Sequence, residues 1–237
     1  MLQPRTHQSL FAYASAEFAA SYRMKSARDA VTVGEHVGLW FDEAMAQGPG
    51  PSSPYACATG CAHCCHLKVI LTAPEVILMT TWLRARLPRE ALATLRAHVV
   101  ETDRKTHGLS SSERADARVP CPLLADGACV AYEVRPVACR VANSFDAGAC
   151  KRAYDSDHDV AIPHDREPRS WADALRGAAT SAAFEAKLDP RMLELVTALK
   201  IGLEQSDAPV AWARGNPVFA KAMDREFAAD LQLQRGK

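Results

Sequence analysis

Apolar residues recur every three or four positions over most of this chain, a period that predicts helices rather than strands. Leu10, Ala14, Phe18 and Tyr22 line one face of a segment from Thr6 to about Met24. Val33, Val37, Phe41 and Met45 form a second stripe, ending at about Ala46. The run Gly48-Pro49-Gly50-Pro51-Ser52-Ser53-Pro54 then breaks helical structure, because proline removes amide donors and glycine loosens the backbone.

Lys68-Val69-Ile70-Leu71-Thr72 is short, apolar and partly β-branched, and predicts a strand or buried extended chain. Thr72-Ala73-Pro74-Glu75 predicts a helix start, with Thr72 as N-cap, Pro74 in the first turn and Glu75 as the capping-box partner. Val76, Met79, Leu83 and Leu87 continue that helix. Pro88 restarts it, and Leu92, Leu95 and Val99 carry a further stripe to about His107. Gly108 to Ser112 reads as loop, and the charged segment to Arg118 as exposed.

From Cys121 to Cys150, Pro122, Gly127, Pro136 and Gly148 forbid long elements and leave room for a short helix near Val137–Asn143. Asp155 to Pro168 is polar and reads as loop; its Asp155, Asp157, His158 and Asp159 form a solvated acidic cluster rather than a metal site. Three stripes close the chain. They are Trp171, Leu175, Ala178 and Ala182; then Met192, Leu195, Leu199 and Leu203, started by Asp189 as cap with Pro190. The last is Phe219, Met223, Phe227 and Leu231, opened by Asn216-Pro217.

The pattern predicts an all-α fold, mainly a helical bundle, with a cysteine-rich, loop-dominated metal-binding region. One domain is expected over residues 1–237, with N-terminal helices at 1–47, the cysteine region at 55–152 (helices at about 74–107) and C-terminal helices at 169–235.

Composition narrows the function classes. The 28 Lys and Arg balance the 28 Asp and Glu, so no basic footprint for nucleic acid or anionic lipid is present. No run of about 18 apolar residues could span a bilayer. The N-terminal residues lack a secretory h-region. The expected location is cytoplasmic, where clustered thiols serve as ligands or redox groups more often than as disulfides.

The eight cysteines carry the chemistry. Cys57, Cys61, Cys64 and Cys65 lie within nine residues, and Cys121, Cys129, Cys139 and Cys150 follow. None precedes Cys57 or follows Cys150, whereas cysteines used as core filler would be scattered among the helical stripes. Thiolate sulfur is a soft donor suited to zinc or iron–sulfur clusters. Eight thiols suffice for two full sites, or for one site with spare thiols. The later gaps of seven, nine and ten residues contain no second Cys-x2-Cys knuckle, which speaks against structural zinc. In extended backbone Cys64 and Cys65 would point to opposite sides. His63 and His66 flank this pair, either as ligands or as donors to the ligands. Arg135 and Arg140 are candidates to offset thiolate charge, or else to cap helix ends or pair with Glu133 and Asp146.

Cys57-x3-Cys61-x2-Cys64 is similar in spacing to the cubane motif of radical-SAM enzymes, but the chain lacks the alternating strands of their barrel. A closer resemblance covers about Cys57 to Cys150. The first cysteine block, with Cys121-Pro122-Leu123, Gly127, Cys129, Tyr132-Glu133-x-Arg135-Pro136 and Cys139-Arg140, resembles the YkgJ-type CxxCxxCC family. The chain departs from that family at Ala62, where glycine is usual. The resemblance implies a chelated zinc or iron, and some proteins with this block are flagellin lysine N-methylases that use a cubane cluster.

Three functions are open at this point. One is a metal-cluster-binding protein for storage, delivery or electron transfer, holding an iron–sulfur cluster (4Fe-4S) or zinc. The second is an iron–sulfur-dependent methyltransferase using S-adenosylmethionine, although no Gly-rich nucleotide loop follows a strand. The third is a structural zinc module for protein interaction. Whether the chain is an enzyme is left undecided by its sequence.

Overall fold

The computed structural model describes residues 6–58, 60–156 and 160–226. Ten α-helices and four two-residue strands are seen among these residues, so the fold is mainly all-α as expected. Helix α1 (His7–Ser21) is started by Thr6, whose side chain accepts from the N–H of Ser9 at 3.1 Å. Its Leu10, Ala14 and Phe18 are buried. Helix α2 (Ala27–Gln47) starts at a Ser26–Asp29 capping box and buries Val33, Val37 and Phe41. Met45 lies only half-buried at its end.

Helix α3 (Ala73–Arg86) begins at the expected box: Glu75 accepts from the Thr72 N–H at 2.8 Å and its hydroxyl at 2.9 Å. Helix α4 (Arg89–Thr106) follows directly after Pro88. Helix α8 (Glu167–Glu185) carries Leu175, Ala178 and Ala182 inward. Helix α1 packs on α8, α2 lies on both α8 and α3, and α9 (Leu195–Glu204) lies on both α3 and α4. Gly34 permits the close crossing of α2 on α3, because a Cβ there would stand 2.5 Å from the carbonyl oxygen of Pro74. The buried apolar side chains of these helices form one cluster that also takes in Leu123, Ala131 and Val137 of the cysteine region.

Four expectations need correction. Ser110 caps a short helix, α5 (Ser111–Asp116), through a Ser-x-x-Glu box that the loop reading of Gly108–Ser112 passed over. Within it Arg114 is 2% exposed rather than solvated. Secondly, α9 starts at Leu195 with Glu194 as its cap, not at Asp189, because Leu193–Glu194 (β4) is drawn out to pair antiparallel with Ile70–Leu71 (β1). Thirdly, no helix runs on from Pro217: Ala220–Ala222 form a 3-10 turn, Met223 bridges Leu193, and helical backbone is next seen at Arg225 and Glu226. Phe227 and Leu231 lie outside the described residues. Finally, α10 (Ala208–Ala213) was not expected; it buries Trp212, whose indole N–H donates to the Asp189 carbonyl at 3.1 Å. No helix among the described residues is long and apolar enough to cross a membrane.

Candidate metal centre

The first cysteine block is fastened at its entrance. The Ala56 N–H donates to the Ser144 carbonyl at 2.8 Å, and the Tyr55 hydroxyl donates to Asp165 at 2.9 Å. The Ser144 N–H in turn donates toward the Cys57 sulfur. The Cys61 N–H closes a turn on the Ala58 carbonyl at 3.0 Å. His63–His66 then form one turn of 3-10 helix, not extended chain. Cys64 and Cys65 therefore do not point to opposite sides as in extended chain: residues one step apart on a three-residue turn diverge by about 120°, and the Cys64 thiol donates to the Cys65 sulfur.

The second half is built onto this turn. The Cys121 N–H donates to the Cys65 carbonyl at 2.8 Å. Buried Arg114 donates to the His66 carbonyl at 2.9 Å and the Val119 carbonyl at 2.5 Å, tying the segment before Cys121 to the end of the first block. Leu124–Ala125 (β2) and Ala128–Cys129 (β3) form a hairpin, with Leu124 opposite Cys129. Asp126 and Gly127 occupy its turn with φ of 50° and 76°, the positive values that a two-residue Asp-Gly hairpin requires. This hairpin was missed in the sequence, although Asp-Gly is its signal. The N–H groups of Leu123 and Ala131 donate toward the sulfurs of Cys121 and Cys129, each two residues before its donor.

Cys139 sits on α6 (Val137–Arg140), shorter than the Val137–Asn143 helix expected. Cys150 sits on α7 (Ala147–Asp155), a helix the sequence reading did not foresee. It is started by Asp146, which accepts from the Ala149 N–H at 3.0 Å. Helix α7 packs on the His63–His66 turn. Tyr154, one helical turn past Cys150, meets the His66 ring at 4.7 Å and the His63 ring at 5.7 Å.

All eight thiols are free, so the disulfide alternative is absent from this structure. Burial pushes Cys121 up to about 12, and raises Cys57, Cys129 and Cys139 as well, since an isolated thiolate is poorly solvated there. Cys64 is raised first by its hydrogen bond to Cys65 and then by burial, while Cys65 is lowered by accepting that bond. Mutual repulsion also registers which thiols are neighbours. Cys57 feels Cys61, Cys64 and Cys150. Cys65 feels Cys121, Cys139 and Cys129, and Cys139 feels Cys121, Cys129 and Cys64.

The candidate helpers part company. Arg135 stacks on the Tyr132 ring at 3.7 Å, and its charge favours the Cys129 thiolate. Arg140 instead donates to Asp42 on α2 at 2.6 Å and to the carbonyls of Arg135 and Glu133 at 3.0 Å each. Its partners are therefore not the Glu133 carboxylate or Asp146, and Asp146 pairs with Arg152. The His66 Nδ1–H donates to the Arg118 carbonyl at 3.1 Å, and burial lowers the imidazole pKa. Asp157, His158 and Asp159 lie outside the described residues.

Among the described residues, no three His, Cys, Asp or Glu side chains already converge as ligands of a metal ion. The sulfurs are neighbours, not a closed cage. The donor set nevertheless suits a soft metal: free thiols, backbone N–H groups aimed at three of them, and thiolates whose burial is costly without a cation. No curated protein and no solved structure matches the chain. Residues 56–160, which contain all eight cysteines, match the model of the CxxCxxCC family, described as "Putative zinc- or iron-chelating domain".

Proposed function

We propose that this chain is a thiolate metal-binding protein whose cysteines hold an iron–sulfur cluster or zinc, serving storage, delivery or electron transfer. The observation that carries the reading is the gathering of free thiols from two distant segments around one 3-10 turn. Cys121 reaches that turn by hydrogen bonding to Cys65, and Cys150 by the packing of α7. In a metal-free fold burial favours the protonated form of Cys57, Cys121, Cys129 and Cys139. A bound cation reverses that balance, because it replaces the lost hydration of each thiolate with a direct bond.

Iron–sulfur is the preferred occupant. The chain has a single Cys-x2-Cys step, between Cys61 and Cys64, where structural zinc sites usually pair two. The cationic Arg135 near Cys129 also suits a cluster, whose potential responds to nearby charge. Anaerobic purification, elemental analysis and an absorption spectrum form the test. Iron with sulfide and a band at about 400 nm supports a cluster; zinc with no visible band supports the zinc form. A metal-free protein that takes up neither on reconstitution sinks the reading. Stoichiometric binding of S-adenosylmethionine by the reconstituted protein would move the assignment to methyl transfer.

A further inference from the structure

The eight thiols do not crowd around one point. Cys57 and Cys150 hang on the same stretch of chain. Ser144 binds Ala56 through its carbonyl and faces the Cys57 sulfur through its N–H, and Asp146, two residues on, starts the helix that carries Cys150. That helix lies against the turn holding Cys64, and Cys57 has Cys61, Cys64 and Cys150 as its thiol neighbours.

Cys65 belongs to different company. Its carbonyl receives the Cys121 N–H, and the hairpin then returns Cys129 beside Cys121, since Leu124 pairs with Cys129 and its N–H binds the Cys121 carbonyl at 3.0 Å. Cys139 comes from α6, whose first N–H is held by Glu75 at 2.9 Å, and it feels Cys121 and Cys129. Besides the adjoining Cys64, Cys65 feels Cys121, Cys139 and Cys129, and Cys139 feels Cys121 and Cys129 more strongly than Cys64.

Resting on the metal-binding reading above, we infer that the cysteines form two separate four-thiolate centres, Cys57, Cys61, Cys64 and Cys150 making one and Cys65, Cys121, Cys129 and Cys139 the other. The two centres stand back to back across the Cys64–Cys65 step, where the thiols touch. Four thiolates complete a tetrahedral metal ion or one cubane, so each set is a full ligand complement. The turn suits vicinal cysteines to this division, because a 3-10 turn sends successive side chains in directions about 120° apart; Cys64 is felt by Cys57, and Cys65 feels Cys121, Cys139 and Cys129. The first centre is the more open, with Cys57 and Cys64 exposed, whereas all four thiols of the second are half-buried.

The test is titration of the reduced, metal-free full chain with Co2+ under anaerobic conditions, since tetrahedral cobalt thiolates are coloured and report sulfur ligation. The expected result is two Co2+ per chain, both with sulfur-to-metal bands. Cys57→Ser or Cys150→Ser should reduce tight binding to one ion with its four-sulfur spectrum unchanged, and Cys129→Ser should remove the other. Circular dichroism checks that each variant keeps its helices; should Cys129→Ser unfold, the Cys57 and Cys150 variants decide by themselves. One ion in the parent chain, abolished by either class of variant, overturns the two-centre division and leaves metal binding intact. Failure of the parent chain to bind Co2+ at all overturns the metal-binding reading itself.

Discussion

Glu75 Oε1 accepts the backbone N–H of Val137 at 2.9 Å, across 62 residues of chain, while Oε2 caps its own helix at Thr72. One buried carboxylate, 3% exposed, thereby starts two helices: α3 of the bundle and α6, which carries Cys139. The bundle and the cysteine region are joined through it, and its charge is felt at Cys139.

Replacing Glu75 by Ala should leave the Thr72 and Val137 amides buried without an acceptor. An unmet buried donor costs about 1–3 kcal/mol, so the pair implies a loss of about 3 kcal/mol. Urea unfolding measures it, and Glu75→Gln, with one acceptor oxygen left, should fall between. A change below about 0.5 kcal/mol would mean that the two helices do not depend on this group.

Arg114 is a second tie, because its guanidinium satisfies the His66 and Val119 carbonyls from a buried position. Arg114→Met should lower stability by about 2–4 kcal/mol and weaken metal uptake by loosening the seat of Cys121. Both bonds leave one nitrogen, Nη1, so Arg114→Lys, whose ammonium also carries several N–H donors, should rescue part of the loss. Parallel unfolding and zinc-binding titrations check both effects.

The raised thiol pKa values set a pH dependence. The ordinary thiol value is 9.0, and Cys121 is lifted to about 12 in the metal-free fold. Between those values the unfolded chain has lost a proton that the folded chain keeps, so stability is full below pH 9.0 and falls as pH rises from there. The metal-free protein should therefore unfold at lower urea at a pH of about 10 than at about 7.5. Metal affinity runs the other way. It should rise with pH, and zinc addition in weakly buffered solution should release protons, which an indicator dye counts. Zinc uptake without proton release would place the metal on ligands other than these thiols.

Gly34→Ala should be disruptive although alanine is the better helix former. Its Cβ would lie 2.5 Å from the Pro74 carbonyl oxygen and 3.0 Å from Leu78 Cβ. Both contacts are with stiff parts of α3, a backbone oxygen and a Cβ, so overpacking of about 2–3 kcal/mol is expected. Thermal unfolding reads it, and an unchanged midpoint would mean that the two helices part without cost.

Much of the bundle was legible because helical stripes and caps are local. Leu10, Ala14 and Phe18 announce α1, and Thr72 with Glu75 announces α3, within a few residues of each position. The Ser110–Glu113 box and the Asp126-Gly127 hairpin were legible too, and were passed over. The start of α9 was not, because its stripe reaches back to Met192 while the pairing partner that straightens Leu193–Glu194 lies at Ile70–Leu71.

By itself the sequence determined that eight soft donors would be concentrated between two sets of helices, since residue type and spacing carry that information directly. Only tertiary structure decided which thiols are neighbours. Cys57 meets Cys150 through Ser144, and Cys65 meets Cys121 through one backbone hydrogen bond. Such contacts arise where distant segments pack against each other, and no spacing along the chain records them.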